Sequence, residues 1–318
     1  MNTDQQNTPY IHSMPSVIIS IVIAAAITVL CSQYTLAVIG LILMSLATGM
    51  TARCAVVLNH FWICGIVSLP AVLLCFFPTL MIAALPTALL PAIGSLILYF
   101  AAKRHIEKTP AIIAVTIANA LVSFATYAIL LIERFGSIPS NILQIILTES
   151  TEQLTGILAN YELDFSIVES MMRMALMLIP GVIMAVSAVF SMLTVTVYFW
   201  ASRRREQCHP LLKLHPISGF VYLLLFVVAL LFTVNTVIGL AAINLIIAML
   251  PILFVYGCKS YFFNPITKKI LVIPIIVSIA LCLFNPIILQ ILISLHGAIQ
   301  AIAIYFRSKA AQNNSDPR

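Results

Sequence analysis

Glu169 and Arg173 stand four residues apart near one end of a long apolar segment of this chain. Residues at that spacing share one face of a helix, so the carboxylate and the guanidinium can pair. Charged groups at membrane depth are costly, which makes the pair either a stabilising contact near the membrane surface or part of a ligand site. Met177 lies one turn further along and can provide an adaptable apolar wall. We therefore take Glu169, Arg173 and Met177 as candidate ligand-binding residues.

Four more polar side chains lie inside apolar stretches and form a second group of candidates. Such groups usually make hydrogen bonds between helices that are worth about 1 kcal/mol or less. A proton relay is the alternative, and it would need a chain of carboxylates. Apart from the stretch that carries Glu169, the apolar stretches have no Asp or Glu in their central portions, which argues against a proton-driven pump. The four residues are His60, Asn119, His296 and Gln300.

The sequence lacks the motifs of the common enzyme classes. It has no His-Glu-x-x-His, no Gly-x-Ser-x-Gly and no Walker loop. Its seven cysteines are scattered without a Cys-x-x-Cys pair, and most fall in apolar stretches, where cysteine acts as a small hydrophobe. The longest basic run, Arg203–Arg205, has no interleaved aromatic residues of the kind that bind nucleic acid. We expect a non-enzymatic protein with no metal site, no cofactor, no disulfide and no nucleic-acid partner.

The composition decides what kind of element must position these residues. The chain is 62% hydrophobic and only 8% charged, with a mean hydropathy of +1.12, so lipid must solvate much of its surface. Continuous rather than alternating apolar runs select helices over a barrel. The sequence predicts an all-α, polytopic helical membrane bundle of about ten transmembrane segments, or eight if one short pair only dips into the bilayer. The segments cover roughly residues 16–31, 34–50, 54–77, 78–101, 110–133, 167–202, 217–234, 237–262, 270–285 and 287–306.

The few charges predict how these segments cross the membrane. Of the 16 Lys and Arg residues, 14 lie at or near the ends of apolar segments, at residue 53 and within 103–108, 203–213, 259–269 and 307–318. Six of the ten Asp and Glu residues lie between Glu133 and Glu169. Because basic loops stay in the cytoplasm, we expect both termini in the cytoplasm and residues 134–166 outside.

These predictions divide the chain into four parts. Cytoplasmic tails cover residues 1–13 and 309–318. A six-helix membrane region covers 14–210 and includes an outer amphipathic helix at 139–160, and a four-segment membrane region covers 211–308. The first tail lacks the positive start and the cleavage site of a signal peptide, so we expect the first apolar segment to be retained.

The outer loop contains the predicted amphipathic helix at 139–160. Its polar face is acidic, so we expect it to pack against the bundle or to cap an outer opening rather than to bind anionic lipid. The next segment, 167–202, would be about 54 Å long at 1.5 Å per residue, which exceeds the thickness of a bilayer. Its outer end, near 166–173, should therefore project into the loop. The apolar residues that define the amphipathic face are Ile142, Ile145, Ile146, Leu154, Ile157 and Leu158.

Small residues form a stripe along the first apolar segment. Ser16, Ser20, Ala24 and Thr28 are spaced four apart, a pattern that lets helix backbones approach closely. The stripe either packs inside the bundle or docks another membrane subunit. Ser45 and Gly49 repeat the pattern once in the second segment.

The order of features along nearly the whole chain resembles the YybS-like family of bacterial membrane proteins, a domain of unknown function. A small-residue N-terminal half precedes the acidic outer helix, and a Pro-containing cytoplasmic linker follows the long segment. The family tends to have an acidic residue where this chain has Gln300. The residues that carry the resemblance are Pro180, Ser187, the run Tyr198–Arg204, Pro210, Pro216 and the run Gly297–Arg307.

The resemblance implies a distant similarity to the substrate-binding S-components of energy-coupling-factor transporters. These have six helices and dock their partner through small residues on the first helix, which Ser20, Ala24 and Thr28 match in kind. It also implies a bacterial inner-membrane location. We therefore expect an S-component-like unit that binds or transports a small molecule, or else a structural or assembly partner of another membrane complex with no ligand of its own.

The topology can be checked by cysteine labelling. In a variant without native cysteines, a cysteine placed at Ser150 should react with an impermeant maleimide on intact cells, because residues 134–166 are expected outside. A cysteine placed at Ser202 should react only after the membrane is permeabilised. The opposite labelling pattern would overturn the charge-based topology.

Overall fold

A computed structural model describes residues 14–33, 37–135, 145, 148, 165–202, 214–232, 236–263 and 269–315. These residues form helices and the turns between them, with one isolated antiparallel bridge, so the all-α prediction is confirmed. The amphipathic helix predicted at 139–160 lies outside the described residues, except for Ile145 and Thr148. The helices are α1 (Met14–Gln33), α2 (Ala37–Leu58), α3 (Ile63–Ile66), α4 (Leu69–Leu74), α5 (Pro78–Lys103), α6 (Lys108–Phe135), α7 (Phe165–Met177), α8 (Ile179–Ala201), α9 (Pro216–Leu231), α10 (Val237–Phe262), α11 (Val272–Phe284) and α12 (Pro286–Ser315).

Among the described residues, six helices are long and apolar enough to cross a membrane. Three shorter apolar helices, Val17–Cys31, Pro216–Leu231 and Val272–Leu283, fall below the roughly 20 residues of a perpendicular span. The predicted count of about ten therefore remains a prediction. The six candidate spans are Ile39–Leu58, Ala84–Lys103, Lys108–Glu133, Ile179–Ala201, Val237–Phe262 and Pro286–Arg307.

The chain divides into two compact units. The first unit contains residues 1–122 and 190–209, and the second contains residues 123–189 and 210–318. The domain boundaries drawn from the sequence stay a prediction.

In the first unit, the start of α1 lies at the same end as the ends of α2 and α5. The thiol of Cys54, near the end of α2, lies 3.8 Å from the carbonyl oxygen of Val17. Tyr99, near the end of α5, donates its hydroxyl hydrogen to Asn59 Oδ1 at 3.3 Å. Residues 17 and 99 therefore lie at the same end of this unit. This is expected if the chain crosses the membrane an even number of times between them.

The segment predicted at 54–77 is not one helix, and that prediction needs correction. Helix α2 continues to Leu58, and the chain then turns at Asn59, whose φ of 59° lies in the left-handed region that asparagine tolerates. Two short helices follow, α3 and α4, and Pro70, which has no N–H, falls at the start of α4. Proline and asparagine here break the helix although the sequence is predominantly apolar.

Residues 61–77 nevertheless form an irregular helical segment. Some N–H groups donate to the residue three positions earlier, as in a 3₁₀-helix, for example Cys64 N–H to Phe61 O at 3.1 Å. Others donate to the residue four positions earlier, as in an α-helix, for example Val67 N–H to Ile63 O at 3.3 Å. Three-residue turns rise about 2.0 Å per residue rather than 1.5 Å, so a straight segment of 17 such residues would extend roughly 25–34 Å. That range includes the roughly 30 Å hydrocarbon thickness, so a short broken segment can still cross.

In the second unit, α10 and α12 cross at two glycines. A Cβ atom on Gly257 would collide with the carbonyl oxygen of Ile293, and one on Gly297 would collide with the carbonyl oxygen of Leu253. The backbones are therefore in direct contact, which only residues without a side chain allow.

Helix α9 completes this three-helix group. A Cβ atom on Gly219 would lie 2.5 Å from the carbonyl oxygen of Ala298 on α12. Tyr222, which is fully buried, packs with Ile246 and Leu253 of α10. Glycine thus provides the close approach, and larger side chains fill the space beside it.

We expect Gly297→Ala to destabilise the protein by about 1–3 kcal/mol, since the added methyl group would overpack the contact with Leu253 and Gly257. The matched control is Gly40→Ala, because a Cβ at Gly40 meets nothing within 4 Å. That control should be neutral or stabilising by up to about 1 kcal/mol. The midpoint of thermal unfolding in mild detergent measures the stability of both variants. Equal midpoints for the two variants would contradict the close contact.

Candidate functional site

A break separates α7 from α8 and lies next to the candidate ligand residues. Pro180 has no N–H, and its ring crowds the carbonyl four residues earlier, so a helix that contains it is kinked or broken there. Leu178 stands between the two helices, and its N–H lies 3.1 Å from both Met174 O and Ala175 O. The predicted segment 167–202 is thus two helices rather than one.

The side chain of Asn244, on α10, bridges this break. In a regular helix, Gly181 N–H would donate to Met177 O. Instead Gly181 N–H donates to Asn244 Oδ1 at 2.7 Å, and Asn244 Nδ2–H donates to Met177 O at 3.1 Å. One neutral amide therefore replaces the missing backbone hydrogen bond by satisfying its donor and its acceptor separately.

The amide of Asn244 is itself held in place. Its Nδ2 group also donates to Leu240 O, one turn earlier on α10, at 3.1 Å. The three hydrogen bonds fix which way the amide faces, because only the nitrogen can donate and only the oxygen can accept from Gly181 N–H. The bridge joins α10 to the break through directional contacts as well as through packing.

Residue 181 is glycine because α10 approaches too closely for a side chain. A Cβ atom there would lie 2.8 Å from the backbone oxygen and from Oδ1 of Asn244. Pro180 and Gly181 therefore have separate roles: the proline breaks the helix, and the glycine lets the bridging amide reach the break.

The candidate residues Glu169, Arg173 and Met177 lie at successive turns of α7. The arginine is exposed, and the methionine is half-buried at the end of the helix, where its carbonyl oxygen binds the bridge. The side chain of the glutamate lies outside the described residues, so the pairing of Glu169 with Arg173 stays a prediction. The structure does bring one face of α7 directly to the break.

Asn119 belongs to a separate polar contact in the first unit. Its Nδ2 group donates to Ser191 Oγ at 3.2 Å, and both residues are fully buried. This is a hydrogen bond between α6 and α8 of the kind that polar groups inside apolar helices usually make.

The small residues Ser45 and Gly49 pack inside the first unit. Ser45 Oγ lies 3.4 Å from the carbonyl oxygen of Phe190, and a Cβ at Gly49 would lie 2.9 Å from that of Thr194. The repeat of small residues thus provides close packing of α2 against α8.

The stripe on α1 also faces inward where it is described. Ala24 and Thr28 are fully buried, and Thr28 Oγ1 lies 2.7 Å from Ala25 O and 3.4 Å from Val67 O. Ser20 is half-buried, and the side chain of Ser16 lies outside the described residues. Ala24 and Thr28 therefore contribute to internal packing of the first unit.

The remaining polar candidates lie apart from the break. His60 is exposed in the turn after α2, where its ring stacks on Trp62 with centroids 5.4 Å apart, so it is not on a helix as the sequence suggested. His296 meets Tyr261 edge-on at 5.5 Å. Gln300 is half-buried one turn beyond His296 on α12.

Within the described ranges, no group of three His, Cys, Asp or Glu residues is close enough to hold a metal ion. The polar groups at the break are a neutral amide and main-chain atoms. These groups are hydrogen-bonded to one another, and Arg173 lies on α7 one turn before Met177.

No protein-family model, no curated protein and no solved structure matches the chain. The resemblance to the YybS-like family therefore stays a proposal. The long apolar helices are consistent with an integral membrane protein.

We expect Asn244→Leu to lower the thermal midpoint, because it leaves Met177 O and Gly181 N–H without partners at a cost of about 1–3 kcal/mol each. Hydrogen exchange of the peptide that contains Gly181 should also become faster. The control Gln290→Leu removes an exposed amide from α12 and should change neither quantity. If the two variants behave alike, Asn244 does not hold the break.

Proposed function

We propose that the chain is a non-enzymatic, multi-pass inner-membrane protein that binds a small molecule as an S-component-like unit of a transporter. The observation that carries this proposal is the break between α7 and α8, bridged by Asn244. Broken helices are a common way to place polar main-chain groups at a ligand inside a membrane protein, because irregular backbone is tolerated there only where protein or a cavity covers it.

The residues next to the break would contact two chemically different parts of a ligand. Arg173 on the last turns of α7 would bind an anionic or polar group, and Met177 would contact an apolar one. Asn244 positions both, since it fixes the end of α7 relative to α10. The ligand would then have a polar and an apolar part.

The distribution of charge supports a membrane orientation with the break towards the outside. In the second unit, Asn244 lies in the first half of α10 and Lys259 lies in its last turn. Basic residues favour the cytoplasmic side of a membrane. Asn244 stands seven residues, about 10 Å, after the start of α10. The site would accordingly open to the outer side, where a substrate-binding component receives its ligand.

A second candidate function is a structural or assembly role without a ligand. The close contacts at Gly49, Gly257 and Gly297 favour it, because small residues at helix crossings make dry, rigid interfaces. In that case, the bridge at Asn244 would only stabilise a helix that bends around a partner.

One purification distinguishes the two functions. The full chain is isolated from bacterial membranes in mild detergent, and mass spectrometry identifies both the small molecules and the proteins retained. If the chain binds a ligand, a small molecule should be retained by the wild type and by Lys103→Gln, and Arg173→Gln should reduce its amount at least tenfold. A stoichiometric protein partner with no retained small molecule would contradict ligand binding and support the structural role.

A further inference from the structure

The turn that joins α10 to α11 places two lysines beside exposed apolar side chains. Lys259 is half-buried in the last turn of α10, and Lys269 is exposed just before α11 begins. Phe263 and Ile270 pair in an isolated antiparallel bridge. We call these four residues the basic turn.

Backbone contacts join the end of α10, which carries Lys259, to the residues that follow Lys269. Leu271 N–H donates to Phe262 O at 2.7 Å, next to the bridge. Residues paired in this way have Cα atoms about 5 Å apart, and Lys259 precedes Phe263 by one helical turn, about 6 Å. Lysine side chains are long and flexible, so two ammonium groups anchored in this way can reach a shared phosphate.

The charges around the basic turn are unusually one-sided. Between Pro210 and Ser315 the sequence has six Lys and Arg residues and no Asp or Glu. The two lysines therefore have no carboxylate within this whole stretch to pair with. A group that brings its own negative charge would complement them.

The apolar neighbours indicate what kind of anion this is. Phe263 is 44% exposed and Ile270 is 58% exposed, and Ile273 on the first turn of α11 is 76% exposed. A free anion would gain nothing from these side chains. A phospholipid has both a phosphate and acyl chains, and cytoplasmic basic pockets beside membrane helices commonly hold such headgroups.

We propose that the basic turn binds an anionic phospholipid. Lys259 and Lys269 contact the phosphate of the headgroup, and Phe263 and Ile270 lie against the upper part of its acyl chains. The inference is independent of the proposed small-molecule site, since it uses none of the residues at the helix break.

The test compares lipid binding by full-length variants. Native mass spectrometry in a mild detergent measures retention of added phosphatidylglycerol and phosphatidylcholine. Lys259→Gln/Lys269→Gln should weaken phosphatidylglycerol binding about 30-fold, because each basic side chain near an anionic surface contributes roughly fivefold. Lys103→Gln/Arg104→Gln removes the same charge from the first unit and should weaken it less than threefold.

Three further results decide the proposal. Lys259→Arg/Lys269→Arg should keep the preference for phosphatidylglycerol. If the double glutamine variant does not fold, Lys269→Gln alone should weaken phosphatidylglycerol binding about fivefold. Equal retention of both lipids by the wild type, or equal losses in the two glutamine pairs, would overturn the site. Displacement of phosphatidylglycerol by millimolar inorganic phosphate would show that the turn recognises a free anion instead.

Discussion

The structure depends on one constraint: inside an apolar bundle, a backbone N–H or C=O that leaves the regular helix pattern must find another partner. Each unmet group costs several kcal/mol in hydrocarbon. The chain meets this requirement in two ways where proline or asparagine breaks its helices. At residues 61–77 the backbone changes to tighter three-residue hydrogen bonds. At the break after α7, the amide of Asn244 takes the place of the missing bond.

The side-chain bridge made by Asn244 has consequences for function that the tighter hydrogen bonds at 61–77 do not have. Tighter turns satisfy the backbone locally and need no other helix. A side-chain bridge makes the shape of one helix depend on the position of another, since moving α10 would leave Met177 O and Gly181 N–H unpaired. Met177 at the end of α7 and Gly181 at the start of α8 are thus coupled to α10 through two hydrogen bonds of Asn244, and Arg173 lies exposed one turn before Met177. This coupling is what a ligand-binding site next to the break would use.

Close packing in the two units relies on small residues rather than on apolar surface. Between helices in lipid, burial of Leu or Ile provides little driving force, and contact between backbones provides more. Gly49 in the first unit and Gly257 and Gly297 in the second lie against carbonyl oxygens of neighbouring helices. Most of the charged side chains lie at or near the ends of the apolar segments, where water and headgroups can solvate them.

The sequence by itself determined the helical membrane character, most segment limits and the one-sided charge of the loops. These follow from hydrophobicity summed over twenty residues and from charge, which are local properties. Helix α10, for example, was predicted at 237–262 and is Val237–Phe262. Pro70 signals a break within 61–77, but the turn at Asn59 escaped prediction because apolar residues lie on both sides of it. Pro180 lies inside the segment predicted at 167–202, and a proline at such a position kinks or breaks a helix. Only the tertiary structure showed that Asn244, 63 residues after Gly181, closes this break, because which amide reaches a break depends on which helices pack together.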